Sequence, residues 1–358
     1  MKYSLCKDFL NANKIMFPLM ERAGDYRLGK RDFAPWSVEI QPTAKCNHHC
    51  IHCSYEERNQ SRASMSEDVV ASTVDSIIQM GVKGVYFSGG GEPCIYPGLK
   101  NHMERLCDNG VEVTLLTNGT LLEQAGVLEI ANKLNYIAVS VPSCNKETFQ
   151  KITGVDKVGT VIDLANRIKA IHGKESPVIG ARVIVTNLIA HEIEKIFHTL
   201  KDNQYDYVLY KIVRDYEDRG LGVDEKTNEE IREKIEKMTQ AGLVDESFTN
   251  LGHVFDYRAP VEFSGKCFIN DMGMLANITP EGEVYPNIVE IVDSRFCVGN
   301  VNDRPLEEIW NSDRHREVKA LSNKHWRDGA CKNCRAITYN KIIEKTLDSL
   351  PCCPDSFI

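Results

Sequence analysis

Residues 38–53 read VEIQPTAKCNHHCIHC, an alternating apolar run that breaks at Pro42 into a loop carrying Cys46, Cys50 and Cys53. The run has strand character, and similar ones recur: GVYFS (84–88), VEVTLLT (111–117), YIAVSV (136–141), VIGARVIVT (178–186) and YVLYKIV (207–213). Helical periods lie between them. Val69, Val70, Thr73, Val74, Ile77 and Ile78 stack on one face, which Ser64 and Glu67 begin as a capping box and Gly81 closes. Val161, Leu164, Ile168 and Ile171 form a second face ended by Gly173. Strands alternating with helices imply βαβ units on a parallel sheet, either doubly wound or an incomplete barrel. Both architectures place ligands at the C-terminal ends of the strands.

The chain is 358 residues long and 42% hydrophobic, enough for a large domain with a real core and a smaller companion. The spacing divides it into an N-terminal extension (1–36), the strand-helix domain (37–213), a charged connector containing TNEEIREKIEKM (214–260), a Gly- and Asn-rich second domain (261–340) and a tail (341–358). Lys7, Asp8 and Lys14 interrupt the N-terminal apolar residues, so a signal peptide is not expected. No membrane span is expected either, and the expected location is the cytoplasm. A net charge of -8 argues against a phosphate-backbone binder, so nucleic acid is not an expected partner. Thirteen cysteines in a large, untargeted chain favour metal ligation over disulfides.

On residue chemistry alone the triad Cys46-x3-Cys50-x2-Cys53 leaves two holders open. One is tetrahedral zinc completed by His48, His49 or His52. The other is a 4Fe-4S cluster held by three thiolates, with one iron free to bind something else. The second strand then ends in SGGGEP, where Gly89, Gly90 and Gly91 let backbone approach a ligand closely and Glu92 could accept hydrogen bonds from an ammonium group.

A CxxxCxxC loop after the first strand and a GGEP turn after the second resemble the radical S-adenosylmethionine (radical SAM) superfamily. The resemblance implies an α/β fold built on a partial (β/α)6 TIM-type barrel. Cys46, Cys50 and Cys53 would hold the SAM-binding 4Fe-4S cluster, whose open iron is chelated by the amino and carboxylate groups of SAM. Gly90, Gly91 and Glu92 would contact the SAM amine, and His52 would pack on the adenine. Asn118 in TLLTNGT and Ser140 in IAVSVPS fall where the family has polar groups near SAM; turn formation or strand-end capping is the plain alternative for both.

The C-terminal third reads CFINDMGMLANITPEGEVYPN, FCVGNVNDRPLEEIWNS and GACKNCRAITYNK, which resembles the SPASM/twitch extension of that superfamily, a small α+β iron-sulfur domain. It implies at most one auxiliary cluster, on Cys267, Cys331 and Cys334, because Asn287 stands where the pattern has cysteine. Cys297, Asn287 or substrate could supply the fourth position. Zinc, or no metal, remains the alternative for these cysteines. Cys352 and Cys353 fall outside the pattern, and Cys6, Cys94 and Cys107 suit packing. Cys144 follows the fourth strand and is a candidate hydrogen-atom donor, against the ordinary reading of an isolated cysteine as inert. Asp271 and His253 are candidate bases.

The resemblance implies an enzyme that cleaves SAM reductively to a 5'-deoxyadenosyl radical and removes hydrogen from an unactivated C-H bond, with oxidation, crosslinking or epimerisation to follow. The expected substrate is a peptide or other natural product, or alternatively a small sugar, aminoglycoside or nucleoside. The expected electron donor is a flavodoxin or ferredoxin. From another class, a non-catalytic zinc-stabilised binding protein competes.

Overall fold

The computed structural model describes residues 9–55, 60–213, 219–244, 248–250, 266–287, 290–291, 293–328 and 336–349. All six expected strands form: β1 (Ser37–Ile40), β2 (Gly84–Phe87), β3 (Glu112–Thr117), β4 (Tyr136–Ser140), β5 (Val178–Val185) and β6 (Tyr207–Ile212). Each pairs in parallel with the next, so the order β6-β5-β4-β3-β2-β1 follows the chain, as a partial barrel requires.

The strands alternate because each has one face against helices and one toward the barrel interior. Val38 and Ile40 are fully buried in the same core as Val70, Val74 and Ile77 of the helix Glu67–Gln79. Glu39 falls on the opposite face, accepting hydrogen bonds from Tyr86 Oη at 2.9 Å, from Gln41 Nε2 at 3.3 Å and from Ser88 Oγ. The helix begins differently from the expected capping box. Ser66 is the N-cap and accepts from the Val69 amide at 3.4 Å. Ser64 is not free to cap, since its hydroxyl bonds that of Thr43 at 2.6 Å. The second expected helix is broken into Val158–Ile162 and Leu164–His172, and Ile171 is 58% exposed instead of packed.

The C-terminal part does not form a separate sheet. Its first strand, β7 (Leu275–Ile278), pairs in parallel with β1 along Ser37–Ile40, then β8 (Glu283–Tyr285) and β9 (Gly299–Asn300) add antiparallel. One nine-stranded sheet therefore runs through both regions. The N-terminal segment also belongs to this end. Leu19, Ala23 and Tyr26 of the helix Phe9–Arg27 share a second core with Cys267, Phe268, Met272, Trp326 and Ile343. Buried Arg22 fastens it, donating to the carbonyls of Met272 and Gly273 with its guanidinium over Phe33 and Trp36. Burial pulls that guanidinium down to about 10, which leaves it charged at neutral pH.

Gly180 shapes the barrel floor. A Cβ there would lie 2.2 Å from Tyr207 Cζ, because the Tyr207 ring crosses β5 to stack on Tyr136 with centroids 5.7 Å apart. Gly180→Ala should therefore destabilise the fold by about 1–3 kcal/mol, as forced overpacking does. Urea unfolding should show a lower midpoint with an unchanged slope, and no loss would mean the Tyr207 ring is free to swing aside.

Candidate active site

The loop from β1 is a closed excursion. Its two ends are clamped at the base by the Thr43–Ser64 bridge, by Ala44 N to Ala63 O at 2.7 Å and by Met65 N to Pro42 O at 3.1 Å. Its middle leans on the end of the helix Lys146–Thr153, with His49 N donating to Thr153 O at 2.8 Å and Ile51 N to Ile152 O at 3.0 Å. Arg219 holds the Ile51 carbonyl at 2.9 Å from the far side. Cys46, Cys50 and Cys53 sit on this loop, partly buried and close enough to raise one another's pKa. Burial is the larger cause: it raises the Cys46 thiol against the opposing His48 amide and, with Cys46 and Cys53, pushes Cys50 up to about 12.

Three soft donors held this way suit a cluster better than a single ion. Among the described residues no set of three or more His, Cys, Asp or Glu side chains gathers around one metal-sized point. The loop histidines do not join the thiols. His48 is buried edge-on to Phe149, and its pKa falls to about 4 through burial. His52 is also held neutral by burial and by Arg219, and its Nδ1 lacks a protein partner.

The glycine turn after β2 presses directly on the cysteine loop. Gly91 N donates to Thr43 O and Glu92 N to Lys45 O, both at 2.9 Å. A Cβ on Gly91 would lie 2.0 Å from Lys45 O, so only glycine permits this approach. Gly90 is buried between them. The Glu92 side chain turns inward: it is 2% exposed and accepts from Thr117 Oγ1 at 2.6 Å, Asn118 N at 2.7 Å and Cys94 N at 3.1 Å. Burial raises its pKa against those three donors. Asn118 completes the joint, donating from Nδ2 to Asn47 Oδ1 at 2.7 Å while its Oδ1 accepts from Thr120 N and Oγ1. Cys94 is buried beside Thr117 and Cys107 donates to Lys133 O, as packing cysteines would.

His52 and Ser140 come together in an open pocket of about 200 Å³, with Pro142, Arg182, Ile184 and Lys211. Arg182 and Lys211 were not singled out from sequence. The available signal was a charged residue at the inward phase of an otherwise apolar strand, as in VIGARVIVT and YVLYKIV.

Other candidates lie elsewhere. Cys144 packs outside the sheet, against the main core, with Glu192, Lys195 and Thr199 near its thiol, and burial pushes it up to about 12. It is a correction to the hydrogen-donor expectation, because the sheet separates it from the concave face. Cys297 also belongs to the main core and donates to Gly299 O at 3.3 Å, whereas Cys267 belongs to the second core; the structure does not bring the two thiols together. Asn287 is spent on its own turn, bonding Asn270 Oδ1 at 3.3 Å, the Glu290 carboxylate and Glu290 N. This removes it as the replacement ligand. Asp271 is held by Tyr26 Oη at 3.0 Å and Asn323 Nδ2 at 2.7 Å. Cys331, Cys334, Cys6, Cys352, Cys353 and His253 lie outside the described residues.

Comparison with known proteins agrees with this geometry. Residues 40–200 match the profile of the radical SAM superfamily, and residues 267–335 match SPASM, an iron-sulfur cluster-binding domain. The chain is 25% identical to the antilisterial bacteriocin subtilosin biosynthesis protein AlbA of Bacillus subtilis over 317 residues, 85% of this chain and 67% of that protein. It is 36% identical over 120 residues to a probable GTP 3',8-cyclase of Methanococcus maripaludis, 33% of this chain but only 40% of the cyclase. In fold it resembles Streptococcus suis SuiB bound to its precursor peptide SuiA, with a TM-score of 0.63 at 16% identity over 89% of this chain and 74% of SuiB. It also resembles anSMEcpe with bound AdoMet and Cp18Cys peptide, with a TM-score of 0.59 at 18% identity over 84% of this chain and 86% of that one. A barrel whose first strand opens into a three-cysteine loop, seated on a glycine turn and continued into a SPASM domain, places the chain in the radical SAM superfamily, with the 4Fe-4S cluster, SAM and auxiliary iron-sulfur site that this membership brings.

Proposed function

We propose that this protein is a radical SAM enzyme that modifies a peptide. The observation that carries the reading is the docking of the cysteine loop onto the glycine turn, which sets three mutually coupled thiols beside exposed backbone at the C-terminal ends of β1 and β2. Cys46, Cys50 and Cys53 would hold the SAM-binding cluster. When bound, the cluster and SAM together supply a 5'-deoxyadenosyl radical able to remove hydrogen from an unactivated C-H bond. The chain's own contribution is placement. Gly90 and Gly91 would present backbone to the methionine end of SAM, while Glu92, satisfied by three donors from the neighbouring turns, holds that backbone rigid. Asn118 would support the loop through Asn47, and His52 and Ser140 would line the nucleoside end.

Cys267, with Cys331 and Cys334, would hold one auxiliary cluster. Cys267 suits a thiolate ligand, since Asn340 Nδ2 points at its sulfur from 3.8 Å and Asn323 fixes its amide at 2.9 Å. The peptide substrate is supported by the likeness to AlbA, whose name places it in bacteriocin biosynthesis, and to SuiB and anSMEcpe, both captured with peptides. A flavodoxin or ferredoxin would serve as electron donor. Among the described residues no helix is long and apolar enough to cross a membrane.

Replacing the triad by alanine, Cys46→Ala/Cys50→Ala/Cys53→Ala, should lower the iron of anaerobically reconstituted protein by about four per chain, the content of one 4Fe-4S cluster. Reductant-dependent 5'-deoxyadenosine should vanish with it, and a wild type that makes none would refute the enzyme reading. Gly91→Ala tests the docking itself, because the new methyl group meets backbone at 2.0 Å and the loop has to lift. That variant should retain the thiols yet bind SAM at least about tenfold more weakly, the cost of one lost ionic hydrogen bond; unaltered SAM affinity would show that the turn does not form the cofactor seat.

A further inference from the structure

Arg182 lies at the inward phase of β5 and lines the same pocket as His52, Ser140 and Lys211. Its Nε is buried without a hydrogen-bond partner among the described residues. A guanidinium donor withdrawn from water in this way costs free energy until an acceptor reaches it. Nothing anionic beneath it answers that need: two residues earlier on the same face, Gly180 admits the Tyr207 ring, which stacks on Tyr136. Lys211 adds positive charge from the next strand, where the register sets it opposite Ile184. The acid on this concave face, Glu39, is far along the sheet on β1, accepting from Tyr86, Ser88 and Gln41. A cationic pocket thus stands at one side of the concave face in a chain whose net charge is -8.

We propose that this pocket seats the carboxylate of an acidic residue, aspartate or glutamate, of the substrate peptide, with the Arg182 guanidinium as its main donor. The assignment rests on the peptide-modifying reading above and names the substrate feature that site selects. SAM is a poor source for the anion. Its one carboxylate is taken up at the open iron of the triad's cluster, and what remains of it is a cationic sulfonium with neutral ribose and adenine. A guanidinium gains nothing beside those groups, whereas a planar carboxylate meets its fork directly.

The test uses rhodamine-labelled pentapeptides Gly-Ala-Glu-Ala-Gly and Gly-Ala-Gln-Ala-Gly, titrated by anisotropy into the iron-sulfur-reconstituted full chain with SAM present. Wild type should bind the glutamate peptide about tenfold or more tightly than the glutamine peptide, as a charge-assisted pair allows. Arg182→Met should erase that preference and Arg182→Lys should keep part of it. Equal wild-type affinities, or a preference that survives in Arg182→Met, would overturn the assignment. So would a fall in SAM affinity in Arg182→Met as large as the fall for the glutamate peptide, because the guanidinium would then serve the cofactor's carboxylate. The two readings fail separately: a wild type that makes no 5'-deoxyadenosine removes the radical enzyme, while one that makes it and ignores the glutamate removes only the pocket's acidic ligand.

Discussion

The contact between Gly91 and the Lys45 carbonyl governs the rest of the site. Two loops from adjacent parallel strands meet backbone to backbone, and the absence of a side chain at Gly91 is what lets them touch. Once they touch, Gly91 N and Glu92 N pair with Thr43 O and Lys45 O, and no main-chain group at the joint is wasted. Glu92 then carries the constraint to a third strand through Thr117 and Asn118. A carboxylate is expensive at 2% exposure, and its three donors offset that cost by making it the hub of the turns it joins. The motif acts less as a direct ligand through its acid than as a frame that holds glycine backbone still.

The same economy explains the concave face. Strand alternation buries Val38, Ile40, Val183 and Val185 against helices and leaves every second residue facing the interior. Where the interior is floor, those residues are rings, as with Tyr136 and Tyr207. Where it is mouth, they are polar or charged, as with Glu39, Ser140, Arg182 and Lys211. Catalytic folds of this kind keep stability at one end of the strands and chemistry at the other. The C-terminal region extends that division, because β7 continues the sheet beside β1 and so fixes the SPASM segment relative to the cysteine loop through backbone hydrogen bonds instead of a flexible linker.

Much of the fold was legible in the sequence because period-2 and period-3.6 patterns depend on local sterics and burial alone. The six parallel strands form within a residue of where VEIQ, GVYFS and their successors place them. The failures have nonlocal causes. Ser64 has the right spacing to cap the helix, but its hydroxyl is taken by Thr43, twenty-one positions earlier. Cys144 follows the correct strand, yet its side chain turns into the helix layer, a choice between two faces that spacing does not record. Asn287 looked like a substitute ligand until its amide was seen to close its own turn against Glu290.

The sequence by itself determined the kind of chemistry: three thiols at fixed spacing after a strand, and glycines after the next one, because donor type and backbone permissiveness are properties of the residues. Tertiary structure alone decided what those residues touch. It brought His52 from the first loop and Arg182 from the fifth strand into one pocket, and it tied the N-terminal helix to the C-terminal core through Arg22. These pairings join residues well over a hundred positions apart, and only the curvature of the closed sheet brings them within reach.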